Sequence, residues 1–169
     1  MTAVRPLVLA LSALAVGLAC ERSPAGPTPD PAAPTLLANL SKNGALLSCK
    51  PLGYDSATQT IGPAGGVLTV SKHNLVVPAG ALSAMVSITA VAPWDTVNRV
   101  ELRPEGLTFN QPALLTMSYG NCKVIPQSKQ IAYTTDALTI LQYVLSTDIP
   151  TGKLVIGQLS HFSNYAIAW

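Results

Sequence analysis

The stretch IGPAGGVLTVSKHNLVVPAGALSAMVSITAVAP (residues 61–93) contains three short apolar runs separated by turn residues. These runs are VLTV (67–70), NLVVP (74–78) and VSITAVA (86–92). Their β-branched residues are typical of strands. Gly65 and Gly66 allow a tight reversal before the first run, and Pro78 ends the second because proline has no N–H for a ladder. The stretch therefore predicts three strands joined by short connections.

The same pattern continues to the end of the chain. The later runs are RVELRP (99–104), ALLTMSY (113–119), IAYTT (131–135), LTILQYVLS (138–146), KLVIGQL (153–159) and SNYAIAW (163–169). Several alternate between apolar and polar residues; Val100 and Leu102, for example, share one face, while Arg99, Glu101 and Arg103 share the other. Nine short strands without helical or βαβ spacing predict an all-β sandwich or barrel.

The first residues have the layout of a secretory signal peptide. MTAVRPLVLALSALAVGLAC (1–20) has one positive residue, then an apolar run and then Cys20. The run is short for a membrane helix. With Gly17 and Ala19 before it, Cys20 resembles the lipid-modified cysteine of bacterial lipoproteins, which implies removal of residues 1–19 and diacylation of Cys20. The alternative is cleavage by the ordinary signal peptidase, which would release a free secreted protein.

The segment after Cys20 is predicted to be a tether. Five prolines lie between Pro24 and Pro34, and such a composition favours an extended polyproline II spacer. Residues 36–47 could form a short helix, although their asparagines and glycine weaken that interpretation. We therefore expect a lipid-anchored, Pro-rich tether over 20–55, followed by one folded domain over 56–169.

The cysteines and the charge limit the remaining chemistry. An exported chain meets an oxidising compartment, so we predict that Cys49 and Cys122 form a disulfide. Neither cysteine lies in a CxxC motif or near a histidine cluster, so no metal ion is expected, and no motif predicts a cofactor. The net charge is only +2, and no Lys/Arg cluster could follow a phosphate backbone. Nucleic acid is therefore not an expected partner.

The order of motifs over residues 61–169 resembles the ZU-five domain, a module of zonula occludens proteins, Unc-five-type receptors and ankyrins. The likeness rests on the IG-x-x-GG-x-L start, the strand ending VPAGAL, the segment VELRPEGLTFNQPALLTMSY (100–119) and the final HFSNYAIAW (161–169). Residues 123–150 are the least diagnostic part. The resemblance implies a two-sheet antiparallel β-sandwich that serves as an interaction or scaffold module.

Catalysis on an external substrate is not expected. His73 lies in the polar stretch SKHN, and we expect it to be a solvated turn residue. The acidic residues after residue 90 are scattered mostly over predicted turns: Asp95, Glu101, Glu105, Asp136 and Asp148. None of them forms a spaced pair suited to acid–base catalysis or to a calcium loop.

The tripeptide His161-Phe162-Ser163 is the exception. In some ZU-five-containing proteins a His-Phe-Ser tripeptide cleaves itself, and the resemblance implies that the Ser163 hydroxyl would attack the Phe162 carbonyl with His161 as the base. The simpler interpretation is strand alternation, with Phe162 facing the core and its two neighbours facing solvent. Because a cut would release only residues 163–169, we expect the bond to remain intact.

Together these features predict a membrane-anchored, non-enzymatic envelope lipoprotein. Lipid on Cys20 would hold it at the outer membrane or cell surface, with the periplasmic side as the alternative, and its sandwich would bind another envelope protein or a larger membrane assembly. Weakly charged strands such as VVPAGAL favour a protein partner. A carbohydrate-binding sandwich is the other alternative; its platform would need exposed aromatic residues, and the candidates are Trp94, Tyr133, Tyr143 and Trp169.

Overall fold

The computed structural model describes residues 44–169, which form two antiparallel β-sheets and no helix. The strands are β1 (Asp55–Ile61), β2 (Gly66–Val70), β3 (His73–Val77), β4 (Val86–Ala92), β5 (Arg99–Arg103), β6 (Thr108–Ser118), β7 (Gln130–Thr134), β8 (Ile140–Tyr143), β9 (Ser146–Ile149), β10 (Leu154–His161) and β11 (Asn164–Ala168). The predicted all-β, two-sheet sandwich is thus confirmed. The predicted signal peptide, Cys20 and most of the tether lie outside the described residues.

The two sheets contain six and five strands. The six-stranded sheet has the order β1-β4-β5-β11-β7-β8, and the five-stranded sheet has the order β2-β3-β6-β10-β9. The last strand, β11, lies inside its sheet, where Tyr165 is paired with Val100 of β5 on one side and with Tyr133 of β7 on the other. The C-terminal strand is therefore a central part of the sandwich.

Period-two alternation places the core between the sheets. On β5, Val100 and Leu102 are fully buried, whereas Arg99, Glu101 and Arg103 are partly exposed on the other face, as predicted. The largest fully buried side chains are Leu47, Ile61, Leu75, Ile88, Leu102, Leu115, Met117, Ile131, Leu159, Phe162, Tyr165 and Ile167. Removal of this apolar surface from water is the main stabilising contribution to the fold.

Two glycines make the turns around β2 and β3 feasible. Gly65 has a φ of 76° and Gly80 a φ of 80°, a region that other residues rarely adopt. A Cβ atom on Gly65 would also lie 2.5 Å from the carbonyl oxygen of Val77. After Gly80 the chain turns inward, and Ala81 and Leu82 are buried.

The edge strand β1 was not expected from the sequence. It pairs with β4 from Asp55 opposite Ala92 to Ile61 opposite Val86, yet most of its residues are polar and exposed. An edge strand with one poorly covered face needs few apolar side chains, so the sequence DSATQTI shows no clear alternation.

The predicted single strand over 138–146 is wrong. The chain instead forms β8 in the six-stranded sheet and β9 in the five-stranded sheet, so it changes sheets between Tyr143 and Ser146. At this corner the Val144 N–H donates to the Ile131 carbonyl (3.0 Å) and the Gln158 N–H donates to the Leu145 carbonyl (3.0 Å). The apolar residues continue through the corner, so the sequence does not mark it.

The residues before β1 also belong to the sandwich. The Leu47 N–H donates to the Ile167 carbonyl at 2.8 Å, and the Lys123 N–H donates to the Ser48 carbonyl at 2.8 Å. A disulfide with an S–S distance of 2.07 Å joins Cys49 to Cys122. The hydrogen-bonded fold therefore begins before residue 56, where the sequence suggests its start.

Candidate functional site

The tripeptide His161-Phe162-Ser163 lies where the chain passes from one sheet to the other. β10 of the five-stranded sheet ends at His161, and β11 of the six-stranded sheet begins at Asn164. Phe162 is fully buried, as predicted, but Ser163 is also buried, with 2% of its surface exposed. The expectation that Ser163 faces solvent is thus wrong, because a link between two sheets does not keep the alternation of a single strand.

The backbone of this link is fixed by the turn that follows β5. The Phe162 N–H donates to the Leu107 carbonyl at 2.8 Å, and the Gly106 N–H donates to the Phe162 carbonyl at 2.9 Å. On the other side of the Phe162–Ser163 bond, the Leu102 N–H donates to the Ser163 carbonyl at 3.0 Å. The Phe162 carbonyl oxygen therefore faces a backbone donor.

The Ser163 hydroxyl has a carboxylate as its partner. It donates to Oε1 of Glu105 at 3.3 Å, and Glu105 lies in the turn immediately before Gly106. In the sequence, Glu105 is only one of several scattered acidic turn residues, and nothing there predicts its contact with Ser163, because 58 positions separate the two. Only the packing of the turn against the link brings the two groups together.

His161 is placed against the carbonyl of the link. Its Nδ1 lies 3.4 Å from the Phe162 carbonyl oxygen and 3.4 Å from the Tyr165 hydroxyl, which donates to the His161 carbonyl at 2.6 Å. The imidazole also packs edge-on against the Tyr133 ring, with 5.1 Å between ring centroids. Burial raises the pKa of Tyr165, so its hydroxyl remains a donor at neutral pH. Within residues 44–169, the Ser163 hydroxyl is hydrogen-bonded to Glu105 and not to His161.

These contacts are of the kind that promotes attack of a hydroxyl on a carbonyl group. A carbonyl that accepts a backbone N–H is polarised for attack, and a carboxylate that accepts a hydroxyl hydrogen bond can act as a base toward that hydroxyl. The Gly106 N–H contacts the carbonyl of Phe162 and the Glu105 carboxylate contacts the hydroxyl of Ser163, so the two groups lie on either side of the Phe162–Ser163 peptide bond. The base suggested by the tripeptide alone was His161, whereas the structure adds Glu105 as a second candidate for this role.

The outer face of the five-stranded sheet is a second candidate site. An apolar row crosses it, with Val67 opposite Val76, Val76 opposite Leu114, and Leu114 opposite Gln158. Leu145 extends this row, since its carbonyl accepts the Gln158 N–H. Val67 is 52% exposed and Leu145 is 72% exposed, so much of the row is in contact with water.

Among residues 44–169, the side chains that the five strands direct to this outer face carry no charge. We call it the uncharged face and define it by the outward residues of the five strands: Val67, Thr69, Asn74, Val76, Pro112, Leu114, Thr116, Ser118, Thr147, Ile149, Leu154, Ile156, Gln158 and Ser160. The other sheet differs, because Arg99 on its outer face contacts Asp95 at 3.0 Å and Glu101 at 2.7 Å. The two outer faces of the sandwich are therefore chemically distinct.

The four aromatic residues considered for a carbohydrate platform differ in exposure. Trp94 is 72% exposed, whereas Tyr133, Tyr143 and Trp169 are partly buried. Tyr133 packs against Tyr165 as well as His161, and Trp169 packs against the core. Trp94 alone among the four thus presents a largely free ring to solvent.

The expectation that His73 is a solvated turn residue is wrong. The turn consists of Ser71, with a φ of 52°, and Lys72, so that His73 is the first residue of β3 and faces the core. It is 1% exposed, and its Nδ1 accepts the Ser118 N–H at 3.2 Å. Burial lowers the pKa of His73 to about 4, because the charged imidazolium would lose its water.

Residues 44–169 contain neither a metal-binding cluster nor a membrane-spanning helix. No group of three or more His, Cys, Asp or Glu side chains there could hold a metal ion. The same residues contain no helix that is long and apolar enough to cross a membrane. No protein-family model and no curated protein matches this chain, so the likeness to the ZU-five domain stays a prediction.

Proposed function

We propose that this protein is a non-enzymatic envelope lipoprotein whose sandwich docks another protein through the uncharged face. The observation that supports the proposal most strongly is the contrast between the two outer faces. One carries an ion-pair network around Arg99, whereas the other presents aliphatic side chains, hydroxyl groups and amides with no charge among its outward strand positions.

The physical advantage of such a face lies in desolvation. An exposed aliphatic side chain gains about 25 cal/mol for each Å² that a partner removes from water. A charged side chain in the same position would lose hydration and would need a partner of opposite charge. The centres of protein interfaces are accordingly depleted in charge. The expected occupant is a protein with an apolar, uncharged surface of its own.

The proposal also includes a lipid anchor on Cys20. A diacylated Cys20 would insert its chains into a membrane leaflet, with about 0.8 kcal/mol for each buried CH₂ group. A Cys20→Ser variant should then lose the lipid mass at its N-terminus and move from the membrane fraction to the soluble fraction. If Cys20→Ser remains in the membrane fraction, and its N-terminal mass differs from that of the wild type only by the substitution itself, Cys20 does not carry the lipid anchor.

The docking role is tested by a charge placed on each outer face. Leu114→Glu introduces a carboxylate in the middle of the uncharged face, and Thr60→Glu introduces one at an exposed outward position of β1. After extraction in mild detergent, the wild type and Thr60→Glu should elute as one larger complex, and Leu114→Glu should elute as the isolated chain. If all three proteins elute alike while remaining folded, the uncharged face is not the docking site.

The contacts at Phe162–Ser163 support a second candidate function, which is self-cleavage of this bond. The Ser163 hydroxyl would attack the Phe162 carbonyl carbon and transfer its proton to Glu105 or His161, while the Gly106 N–H stabilises the negative oxygen. Expulsion of the Ser163 nitrogen, which takes up a proton, would leave an ester between Phe162 and the Ser163 oxygen. Water would hydrolyse that ester to a Phe162 carboxylate and a free Ser163 hydroxyl.

Intact-mass measurement separates the two functions. A self-cleaving wild type would release the peptide 163–169 during incubation, Ser163→Ala would not, and Glu105→Gln would release it more slowly. An unbroken wild-type chain, identical in behaviour to Ser163→Ala, would exclude self-cleavage and leave the docking proposal unaffected.

A further inference from the structure

A cavity of about 140 Å³ lies between the loop after β6 and the turn that joins β9 to β10. Its apolar walls include Val124 and Ile125 from the loop and Pro150 from the turn. Val124 is 91% exposed, so this wall stands open to solvent. A volume near 150 Å³ is large enough for a benzene ring. The cavity therefore has the size of a small aromatic or aliphatic group.

The polar lining of the cavity is cationic. Lys123, Lys129 and Lys153 all line it. Asp148 is hydrogen-bonded to two of the lining residues, since its Oδ1 accepts the Tyr119 hydroxyl at 2.7 Å and its Oδ2 accepts the Lys129 backbone N–H at 2.8 Å. Among the described residues, three ammonium groups in the lining thus face one carboxylate that contacts it, which leaves the site with a net positive charge.

Lys129 is an unusual lining residue because it is buried, with 7% of its surface exposed. Its ammonium donates to the carbonyl of Ile125 at 2.9 Å and to the carbonyl of Gln127, and it lies 5.5 Å from the centroid of the Tyr119 ring. An ammonium group has three N–H donors, so two are used by the loop. The third N–H has no hydrogen-bond acceptor among residues 44–169, and Lys129 is one of the residues that line the cavity.

We propose that this cavity binds a small amphipathic monoanion, namely a carboxylate on an apolar body about the size of a benzene ring. The carboxylate would accept the third N–H of Lys129, a charge-assisted hydrogen bond, while Lys123 and Lys153 add attraction from the rim. The apolar body would displace water from the walls formed by Val124, Ile125 and Pro150. This site is separate from the uncharged face and does not depend on the docking proposal.

Benzoate is the probe, and benzamide is its neutral control of the same shape. In a titration followed by amide chemical shifts, benzoate should perturb Val124, Ile125 and Lys129 with a dissociation constant on the order of 1 mM, as is usual for so small a ligand. Benzamide should bind at least about tenfold more weakly, because it cannot form the charge-assisted bond. Salt should weaken the binding of benzoate alone.

Three lysine variants test the assignment. Lys129→Met should weaken benzoate binding by about tenfold or more. Since Lys129 also holds the loop, Lys153→Gln provides a variant outside those loop contacts, and it should weaken binding by a few-fold. Lys72→Gln removes a lysine from the β2–β3 turn, outside the cavity lining, and should leave binding unchanged. Equal binding of benzoate and benzamide, or no localised shift up to about 20 mM benzoate, would overturn the proposal.

Discussion

Acid should destabilise this protein through His73. The imidazole is buried at the start of β3, and burial lowers its pKa from the ordinary 6.5 to about 4. A folded-state pKa below the unfolded value means that the folded state resists protonation. The resulting stability is fully present above pH 6.5 and is lost as the pH falls toward 4. The slope in that window should be about 1.4 kcal/mol per pH unit, which amounts to about 3 kcal/mol in total.

Urea unfolding at a series of pH values between 4 and 8 measures this loss, with the disulfide kept oxidised. The matched variant is His73→Asn, in which an amide oxygen can still accept the Ser118 N–H but no group titrates at this position. The variant should begin from a lower free energy of unfolding, because asparagine fills less of the site. Its pH dependence should be weaker than that of the wild type by the His73 contribution.

The comparison of slopes is decisive because it cancels every other titrating group that the two proteins share. If the wild type and His73→Asn lose the same free energy between pH 6.5 and pH 4, burial does not hold His73 neutral and the reasoning is refuted. A stability gain in the wild type as the pH falls would be an even stronger contradiction.

Three other predictions concern packing and the backbone. Replacing Cys49 and Cys122 together by alanine should lower the free energy of unfolding by about 4 kcal/mol, since the disulfide closes a segment of 73 residues; a loss below about 1 kcal/mol in urea titration would contradict this. Phe162→Ala should cost about 3–5 kcal/mol by the same assay, because the ring is fully buried, and a cost near zero would mean that the ring is not part of the core. Gly65→Ala should lower the thermal midpoint more than Gly106→Ala. Both glycines have a positive φ, but only a Cβ atom at position 65 would meet backbone atoms. Equal shifts of the two midpoints would show that strain in φ alone decides the cost.

The general architecture was predictable because it depends on local patterns. Alternation in RVELR places Val100 and Leu102 in the core whatever strands lie beside them. Likewise, the positive φ of Gly65 follows from the tight reversal that the sequence predicts before β2. These signals alone leave the choice between a sandwich and a barrel undecided. The prediction of two sheets came from the resemblance to the ZU-five domain.

The candidate sites depend on contacts between distant segments, which local patterns do not encode. Glu105 meets the Ser163 hydroxyl only because the turn after β5 packs on the link between β10 and β11. The uncharged face joins residues of five strands whose order in the sheet is not their order in the chain. The burial of His73 was missed for a simpler reason, since the turn before it is shorter than its polar sequence suggests.

Photo-crosslinking can capture the partner protein that we propose covers the uncharged face. A photoreactive amino acid placed at position 114 on that face, or at position 60 on the other sheet, is activated in intact membranes. We expect one discrete protein adduct from position 114 and no such adduct from position 60. The adduct from position 114 should be lost when Val76 on the neighbouring strand is changed to glutamate. Equal labelling from both positions, or no protein adduct from position 114, would contradict the proposal.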